Sequence, residues 1–382
     1  MSVAQTGIAW TDATAGVLVG CSRKSTGCEH CYAEVLAGTR LRRLPLFADL
    51  TRPTNDGPRW TGLVKWNPNA ARQVRGWRKG RRVFLNSMSD PFHESMSFEM
   101  IATVFAFMAD CPQHTFQVLT KCLELAARWF RAFARKIDDR AGKNASAADR
   151  IAAAFELLAE CARQTQPAHF AKVTGASLAA KQPRGWPLVN VELGASVENQ
   201  ETAYARIPAL LRCEAWVYFL SLEPLLEEVD LDPALCDSCG GHEFHEAEDG
   251  TPWCVECDEI EMSYGHWLGL GERSVSWVIV GGESCRPASK ARPFALAWAR
   301  AVVKQCRDRG ARVFVKQLGS QPRMVASDAG AMPWHRGAET SGPFAGLGWG
   351  TPRKPGGKDP AEWPADLRVQ ELPDRAFMET TR

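Results

Sequence analysis

Short segments rich in β-branched and aromatic residues recur along this chain, and each is separated from the next by enough residues for a helix. The predicted strands are residues 15–20, 83–88, 115–120, 190–197, 217–222, 277–281 and 312–318. The helical patterns between them are residues 32–43, 98–109, 122–136, 200–211 and 295–308. Strands that alternate with helices predict an α/β protein with a parallel sheet, wound as an open sheet or as a full or partial barrel.

Polar residues at the predicted carboxyl ends of the strands favour the barrel. They are Asn86, Ser87, Ser89 and Asp90; Thr120 and Lys121; Ser196, Glu198 and Asn199; Ser221 and Glu223; residues 281–284; and Lys316. In a TIM-like barrel these ends form the reacting face, because the loops after the strands converge there. The alternative is that polar residues simply end strands, but six repetitions make the barrel the better interpretation.

Two segments interrupt the alternation of strands and helices. Residues 137–183 contain an alanine-rich helical pattern and are predicted to be a helical insertion. Residues 232–270 contain four cysteines and are predicted to be a small separate module. We therefore expect a barrel over residues 1–319 that carries both insertions, followed by an irregular extension, residues 320–382, that packs on it.

The overall composition is that of an ordinary globular protein, with 45% hydrophobic and 24% charged residues. A net charge of +2 decides nothing about nucleic acid, since only local clusters of charge could. No apolar run is long enough for a membrane span and no secretory signal is visible, so we expect a cytoplasmic protein. In a reducing compartment, grouped members of the 13 cysteines indicate metal binding before disulfides.

Cys21, Cys28 and Cys31 lie in one short segment between the first predicted strand and the first predicted helix. Three thiolates on one loop suit an iron–sulfur cluster in which the protein ligates three irons and the fourth stays open to an external chelating ligand. A structural zinc ion would need a fourth ligand, for which His30 is a candidate at an awkward spacing. Thiols without metal are the third interpretation.

The spacing Cys-x6-Cys-x2-Cys-Tyr-Ala-Glu resembles a variant of the radical S-adenosylmethionine (SAM) motif, whose usual first gap is three residues. Over most of its length the chain resembles the phage Gp37/Gp68 family (DUF5131), which is radical SAM-like, and it resembles spore photoproduct lyase more weakly. The blocks that carry the family resemblance are residues 6–14, 77–94, 114–121, 186–211, 219–231, 277–284 and 312–319. The resemblance implies a [4Fe–4S] cluster on the three cysteines, with SAM on the fourth iron and reductive cleavage to a 5′-deoxyadenosyl radical.

The resemblance also implies residues that contact SAM. His30 stands just before Cys31, where radical SAM proteins usually place an aromatic side chain near adenine, and Tyr32 follows it. The residues that related barrels would present to the SAM amino nitrogen are Ser87, Ser89 and Asp90. An anionic Asp90 suits an ammonium group, but a role in starting a turn and capping the next helix is an equal alternative.

Further candidates follow the later strands. Ser196, Glu198 and Asn199 are similar to a short element that spore photoproduct lyases use near SAM, with a helix N-cap as the alternative. Gly282 and Glu283 would bring backbone and a carboxylate close to a ligand. The candidates for contact with substrate, or for catalysis, are Glu223, Cys285 and Lys316.

The second cysteine group consists of two Cys-x2-Cys pairs, Cys236 with Cys239 and Cys254 with Cys257. Four thiolates at this spacing predict a structural Zn²⁺ site without which so small a module would scarcely fold. A second iron–sulfur cluster is the alternative.

Basic residues cluster at two places. They are Arg40, Arg42 and Arg43, and then Arg72, Arg75, Arg78, Lys79, Arg81 and Arg82, the second group interleaved with Trp66 and Trp77. A basic, tryptophan-bearing stretch can track a phosphate backbone and stack a base. A solvated surface is the ordinary alternative.

Three functions remain open. The first is a radical SAM enzyme that modifies or repairs a nucleic acid or nucleotide, and the second is one that acts on a protein or a metabolite. The third is a non-catalytic, metal-bearing interaction protein of phage or host defence. The enzymes would need an external electron donor of the flavodoxin or ferredoxin type; a protein partner is possible, and no membrane partner is expected.

Overall fold

The computed structural model describes residues 6–231 and 273–373, except 286, 330, 331, 333 and 334, together with short segments between these two ranges. Those segments are 233, 235–236, 244–246, 252–254, 262–263 and 267–269. The chain divides into two compact units. The first unit is Met1–Ala195 with Arg212–Val217, and the second unit is Ser196–Leu211 with Tyr218–Arg382.

The first unit contains eight strands and seven α-helices within its described residues. The strands are β1 (Ala13–Thr14), β2 (Leu18–Val19), β3 (Thr51–Thr54), β4 (Gly57–Trp60), β5 (Lys65–Trp66), β6 (Arg82–Phe84), β7 (Thr115–Thr120) and β8 (Val191–Ser196). The helices are α1 (Tyr32–Gly38), α2 (Pro68–Arg75), α3 (Phe98–Ala109), α4 (Leu123–Ala141), α5 (Ala147–Thr165), α6 (Pro167–Phe170) and α7 (Gly175–Ala179).

Four strands of the first unit form a parallel sheet in the order β1-β6-β7-β8. One face is apolar and packs on helices, as the rings of Phe116 and Phe107 of α3 do at 5.6 Å. On the opposite face Phe84, Gln117 and Glu192 lie at matched register positions. A carboxylate and an amide therefore project from the middle of a buried sheet face.

The first two predicted strands differ from the structure. The strand that joins the sheet is Ala13–Thr14, not residues 15–20, and Leu18–Val19 instead pairs antiparallel with β5. The reason is Asn67, which bonds the carbonyls of Gly16 and Val17 at 2.9 and 2.8 Å and so diverts the chain between the two strands. The predicted strand 83–88 ends at Phe84, because the side chain of Asn86 replaces the backbone and bonds both polar groups of Leu119.

Aromatic packing joins the helices of the first unit. Trp129 of α4 stacks on Phe105 and Phe133 with ring centroids 4.9 Å apart in each case, and Phe133 in turn contacts Trp186 at 4.8 Å. Helix α5 begins at a capping box between Ser146 and Asp149. Within residues 137–183 the structure thus places the end of α4 and all of α5, α6 and α7.

The second unit contains three α-helices and eleven strands within its described residues. The helices are α8 (Gln200–Leu211), α9 (Leu296–Asp308) and α10 (Ala326–Ala329). The strands are β9 (Val217–Leu222), β10 (Leu235–Cys236), β11 (Phe244–Glu246), β12 (Pro252–Cys254), β13 (Met262–Ser263), β14 (Val275–Gly281), β15 (Phe294–Ala295), β16 (Arg312–Gln317), β17 (Pro322–Met324), β18 (His335–Ala338) and β19 (Gly348–Gly350).

Three strands of the second unit are parallel, in the order β9-β14-β16, and α9 lies between β14 and β16 in the chain. The outer edge of β16 is covered by residues 369–371, since Val315 N donates to the carbonyl of Val369 and Phe314 bridges to Gln370. A separate small sheet is formed by β15, β17, β19 and β18.

The prediction of an α/β protein is confirmed, and parallel strands alternating with helices in both units are consistent with a partial TIM-like barrel. The zinc prediction lies outside the described residues: Cys239 and Cys257 are not described, nor are the side chains of Cys236 and Cys254. Among the helices that the structure describes, none has the length and apolar character to cross a bilayer.

Candidate functional site

The cysteine loop, residues 21–31, starts beside the turn that follows β6. Gly20 precedes it with φ +100°, and a Cβ there would lie 2.0 Å from the carbonyl oxygen of Leu63, so only glycine fits. The amide of Gly20 donates to the carbonyl of Met88 at 3.0 Å, and Gly20 bridges to Ser89. The loop is therefore tied to the turn that follows β6, whereas the sequence analysis placed it directly after the first sheet strand.

The thiols of the cysteine loop are half-buried and none is in a disulfide. Burial, followed by the charges of Asp90, Cys31 and Cys28, raises the pKa of the Cys21 thiol, so the three sulfurs interact electrostatically. Burial also raises the pKa of Cys31, while the amides of Glu34 and Ala33 donate to its sulfur and favour the thiolate. Lys24 N donates to Cys28 Sγ at 3.5 Å.

The donors around the three thiols bear on the kind of metal centre that the loop could hold. A lone zinc ion needs all of its sulfur ligands about 2.3 Å from one point. Within the described part of the chain, no three His, Cys, Asp or Glu side chains converge in that way. A four-iron cluster instead binds each sulfur through a different iron, and amide hydrogens directed at the sulfurs tune its potential. The amides directed at Cys28 and Cys31 have this arrangement.

An ion pair braces the cysteine loop against α1. Arg23 donates to Glu34 Oε2 through Nε at 2.9 Å and Nη2 at 2.5 Å, and Nη2 also donates to the carbonyl of Glu29. Glu34 is only 1% exposed, and its other oxygen accepts from Trp60 N at 2.8 Å. Because a buried carboxylate is costly without such partners, this pair holds the loop in one conformation.

A buried histidine fixes the start of the cysteine loop. His93 Nε2 lies 2.8 Å from Ser22 Oγ and Nδ1 lies 2.9 Å from Ser95 Oγ. Burial lowers the pKa of His93, so the ring is neutral at physiological pH. Beside it Lys24 pairs with Glu94. Ser22 and Lys24 of the cysteine loop thus contact His93 and Glu94, which lie in the segment that follows β6.

Asp90 joins the ends of β6 and β7 beneath the loop. Its oxygens accept from Thr120 Oγ1 at 2.7 Å, from Lys121 N at 2.9 Å and from Phe92 N at 3.0 Å. Lys121 Nζ reaches Ser25 Oγ of the loop at 3.3 Å. The hydrogen bond from Phe92 N forms the turn that the sequence analysis gave as an alternative role for Asp90. The hydrogen bonds from Thr120 and Lys121 link the ends of the two strands, which the sequence does not indicate.

The remaining candidates of the first unit lie around the same loop. Tyr32 is 59% exposed and donates through its hydroxyl to the carbonyl of Ser87 at 2.9 Å. His30 is exposed. Within the described residues, the buried hydroxyl oxygen of Ser89 has no hydrogen-bond partner. The structure therefore brings together the three cysteines, Tyr32, Ser87, Ser89 and Asp90.

In the second unit, charged groups meet at the carboxyl ends of the three parallel strands. Lys316 Nζ lies 2.9 Å from Glu223 Oε1, and the hydroxyl of Ser221 lies 3.5 Å from the other carboxylate oxygen. Both charged side chains are largely buried. Gly281 makes room for them, since a Cβ there would lie 3.1 Å from Glu223 Oε1.

The candidates after β8 are engaged within the protein. Arg206 of α8 donates to Glu198 Oε2 at 2.8 Å and to the carbonyl of Ser196 at 2.7 Å. The side chain of Asn199 accepts from Thr202 N at 3.0 Å, which is the geometry of a helix cap. These contacts fix the start of α8.

The glycine–glutamate segment after β14 is also engaged in internal packing. Arg292 binds both carboxylate oxygens of Glu283, at 2.6 Å through Nη2 and 3.2 Å through Nε. A Cβ on Gly282 would lie 2.8 Å from the carbonyl oxygen of Leu318, so the backbone at Gly282 packs closely on the backbone at Leu318. Cys285 is half-buried, and its amide donates to Ser320 Oγ at 3.3 Å.

The sequence analysis missed the residues that support the cysteine loop, namely Arg23, Glu34 and His93. One signal was available for Glu34, because a carboxylate three residues after Cys31 falls in the first turn of a helix, where an anion is favoured. Nothing in the local pattern distinguishes Arg23 or His93 from ordinary polar loop residues.

A family model described as "Protein of unknown function (DUF5131)" matches residues 5–342. Comparison with curated proteins and with solved structures found no match. The match spans far more than half of the 382 residues, including the cysteine loop and the parallel strands of both units. The chain therefore belongs to the DUF5131 family.

Proposed function

We propose that this protein is a radical SAM enzyme in which Cys21, Cys28 and Cys31 hold a [4Fe–4S] cluster, and that it modifies or repairs a nucleic acid or nucleotide. When bound, such a cluster supplies an open iron for SAM and the electron that cleaves it to a 5′-deoxyadenosyl radical. The spacing of the cysteines and the resemblance of the sequence to radical SAM proteins support this proposal.

The observation that carries the proposal is the number and placement of the thiols. Three cysteines lie on one loop beside the turn that follows a parallel strand, and amides of the loop and of α1 are directed at two of the sulfurs. Three protein ligands leave one metal position for an external ligand, whereas a closed structural site uses four.

The surrounding residues would hold the site in place. The pair of Arg23 and Glu34 would keep the cysteine loop folded with or without metal, because the buried carboxylate needs its cation. Neutral His93 would position Ser22 next to Cys21. The backbone carbonyl of Ser87 would orient the ring of Tyr32, and the unpartnered hydroxyl of Ser89 would be available to a bound ligand.

The roles of the second unit remain proposals of the same kind. Glu223 and Lys316 would contact substrate or the SAM carboxylate, as an ion pair at the ends of parallel strands can. We propose a structural zinc ion on Cys236, Cys239, Cys254 and Cys257, and an electron donor of the flavodoxin or ferredoxin type.

Two members of the second basic group are engaged within the protein, while Arg72, Arg78 and Lys79 are exposed. Arg75 binds Asp110 at 2.7 Å and stacks on Phe170 at 4.5 Å, and Arg81 stacks on Trp77 at 4.3 Å. These side chains hold the protein together. The exposed group of Arg40, Arg42 and Arg43, which follows α1, remains available to a polyanion.

Release of 5′-deoxyadenosine tests the proposal. Protein reconstituted with iron and sulfide without oxygen is incubated with dithionite and SAM, and the product is quantified by chromatography. We expect release by the parent protein, and none by Cys28→Ala because it loses one iron ligand. Cys161→Ala, in a buried thiol of α5, is the matched control and is expected to behave as the parent.

Two results would contradict the proposal. If Cys28→Ala released 5′-deoxyadenosine at the parental rate, Cys28 would not be an iron ligand. If the parent carried a cluster but released none, either alone or with any oligonucleotide present, the proposal of a radical SAM enzyme that acts on nucleic acid would be wrong.

A further inference from the structure

We propose that the hairpin of β3 and β4, with Arg52 and Arg59, binds the phosphodiester backbone of a single-stranded nucleic acid next to the cysteine loop. This inference rests on the proposed function and names the surface that would hold its substrate.

The hairpin places two positive charges side by side. Arg52 and Arg59 are directly opposite each other in the antiparallel ladder. Like charges at such positions destabilise a hairpin. Among the residues the structure describes, no carboxylate lies within 4 Å of the Arg52 guanidinium. Arg59 has Asp56 and Glu34 only at 3.8 and 3.9 Å, beyond direct hydrogen bonds.

The hairpin is held rigidly against the helix that follows the cysteine loop. Its prolines, Pro53 and Pro58, face each other across the ladder and restrict its backbone. A Cβ on Gly38 of α1 would lie 2.1 Å from Pro58 Cβ, so helix and hairpin are in close contact. Trp60 N donates to Glu34. The two arginines are thus displayed on a fixed support.

A surface cavity of about 430 Å³ lies between the hairpin and the cysteine loop. Its lining residues include Ser22, Arg23, Arg52 and Arg59. Glu34 and Asp56 also line it, but Glu34 is already occupied by Arg23 and Trp60 N, and Asp56 lies 3.8 Å from Arg59. Three arginines against two carboxylates leave the lining with one net positive charge. A cavity with an incompletely neutralised arginine pair suits an anion of at least phosphate size.

The chemistry favours a phosphodiester over other anions. Arginine presents its donors as a planar fork that matches two oxygens of one phosphate. Two arginines in cross-strand positions can bind consecutive phosphates of one nucleic-acid strand. A single small anion cannot contact both arginines in this way. Relief of the repulsion between Arg52 and Arg59 then adds to binding.

Fluorescence anisotropy with labelled oligothymidylate and oligouridylate tests the inference on the full chain, without SAM or reductant. We expect R52Q/R59Q to weaken binding roughly tenfold at about 100 mM salt and to lower the slope of log K against log salt by about 1.4, which is two single-strand phosphate contacts. R128Q/R131Q, on the exposed face of α4, removes the same charge and is expected to bind as the parent.

Thermal unfolding of each variant shows that the fold is kept. Equal binding of both oligonucleotides by R52Q/R59Q and the parent would overturn the inference. So would displacement of the oligonucleotide by millimolar phosphate or by polyglutamate at equal charge concentration, since the site would then be a general anion site or a surface for an acidic protein. Because the assay needs no cluster, failure of SAM cleavage would not produce either result.

Discussion

Glu192 is the second residue of β8 and is fully buried, on the sheet face that it shares with Gln117. Burial raises the pKa of its carboxyl to about 7, and the charge of Arg82 and the amide of Gln117 act in the opposite direction. Neither carboxyl oxygen has a hydrogen bond of ordinary geometry among the described residues, so we regard the help from Gln117 as weak. Glu192→Gln keeps the shape of the side chain and removes its titration.

The expected effect follows from the two pKa values. The unfolded chain loses this proton near the ordinary value of 4.5, whereas the folded protein keeps it until about pH 7. Between these values the unfolded state binds fewer protons, so stability falls as pH rises. At about 1.4 kcal/mol per pH unit, the ionised Glu192 costs the folded protein about 3 kcal/mol above pH 7.

Urea unfolding of parent and Glu192→Gln at several pH values between 5 and 8 measures this difference. We expect the free energy of unfolding of the variant minus that of the parent to increase by about 1.4 kcal/mol per pH unit up to pH 7 and to be constant above it. Glu201→Gln, whose side chain is exposed, controls for the loss of one negative charge. A difference that does not change with pH would refute the assignment of a buried, neutral carboxyl.

Three other substitutions test contacts in both units and the zinc proposal. Arg23→Gln should lower the free energy of unfolding in urea by about 2–3 kcal/mol, because Glu34 stays buried without its cation, and it should also lower the iron content. Arg23→Lys should recover part of the stability and part of the iron content. Arg206→Met should lower the free energy of unfolding by about 3–5 kcal/mol, because Glu198 stays buried without its cation. Adding Glu198→Gln should restore most of that stability, and no recovery would contradict the pairing of Arg206 with Glu198. Cys239→Ser should remove one zinc per chain, measured by atomic emission, and leave iron unchanged; unaltered zinc would exclude it as a ligand.

Strong local patterns correctly predicted the first and last residues of several elements. The helices at 98–109 and 200–211 and the strands at 115–120 and 217–222 have the predicted bounds. Each is a continuous apolar or amphipathic run of ordinary length, so its own residues determine where it begins and ends. The grouping of the three cysteines with Asp90 also follows from the sequence, because the carboxyl ends of neighbouring parallel strands meet.

Other features depend on contacts between distant residues. Asn67 and Asn86 alter the first two strands through bonds to backbone that a local pattern does not contain. Glu192 escaped notice because a strand buried on both faces shows no alternation to mark its side chains. Arg75 looked available to nucleic acid, but its aromatic and acidic partners come from other parts of the first unit.

The central claim is that three thiols leave one iron open to SAM. Electron paramagnetic resonance of the dithionite-reduced, anaerobically reconstituted protein, recorded before and after SAM is added, tests it most directly. We predict the signal of a reduced [4Fe–4S] cluster, with g values that change when SAM binds the open iron. A sample that shows no such signal, or a cluster signal that SAM leaves unaltered, would contradict it.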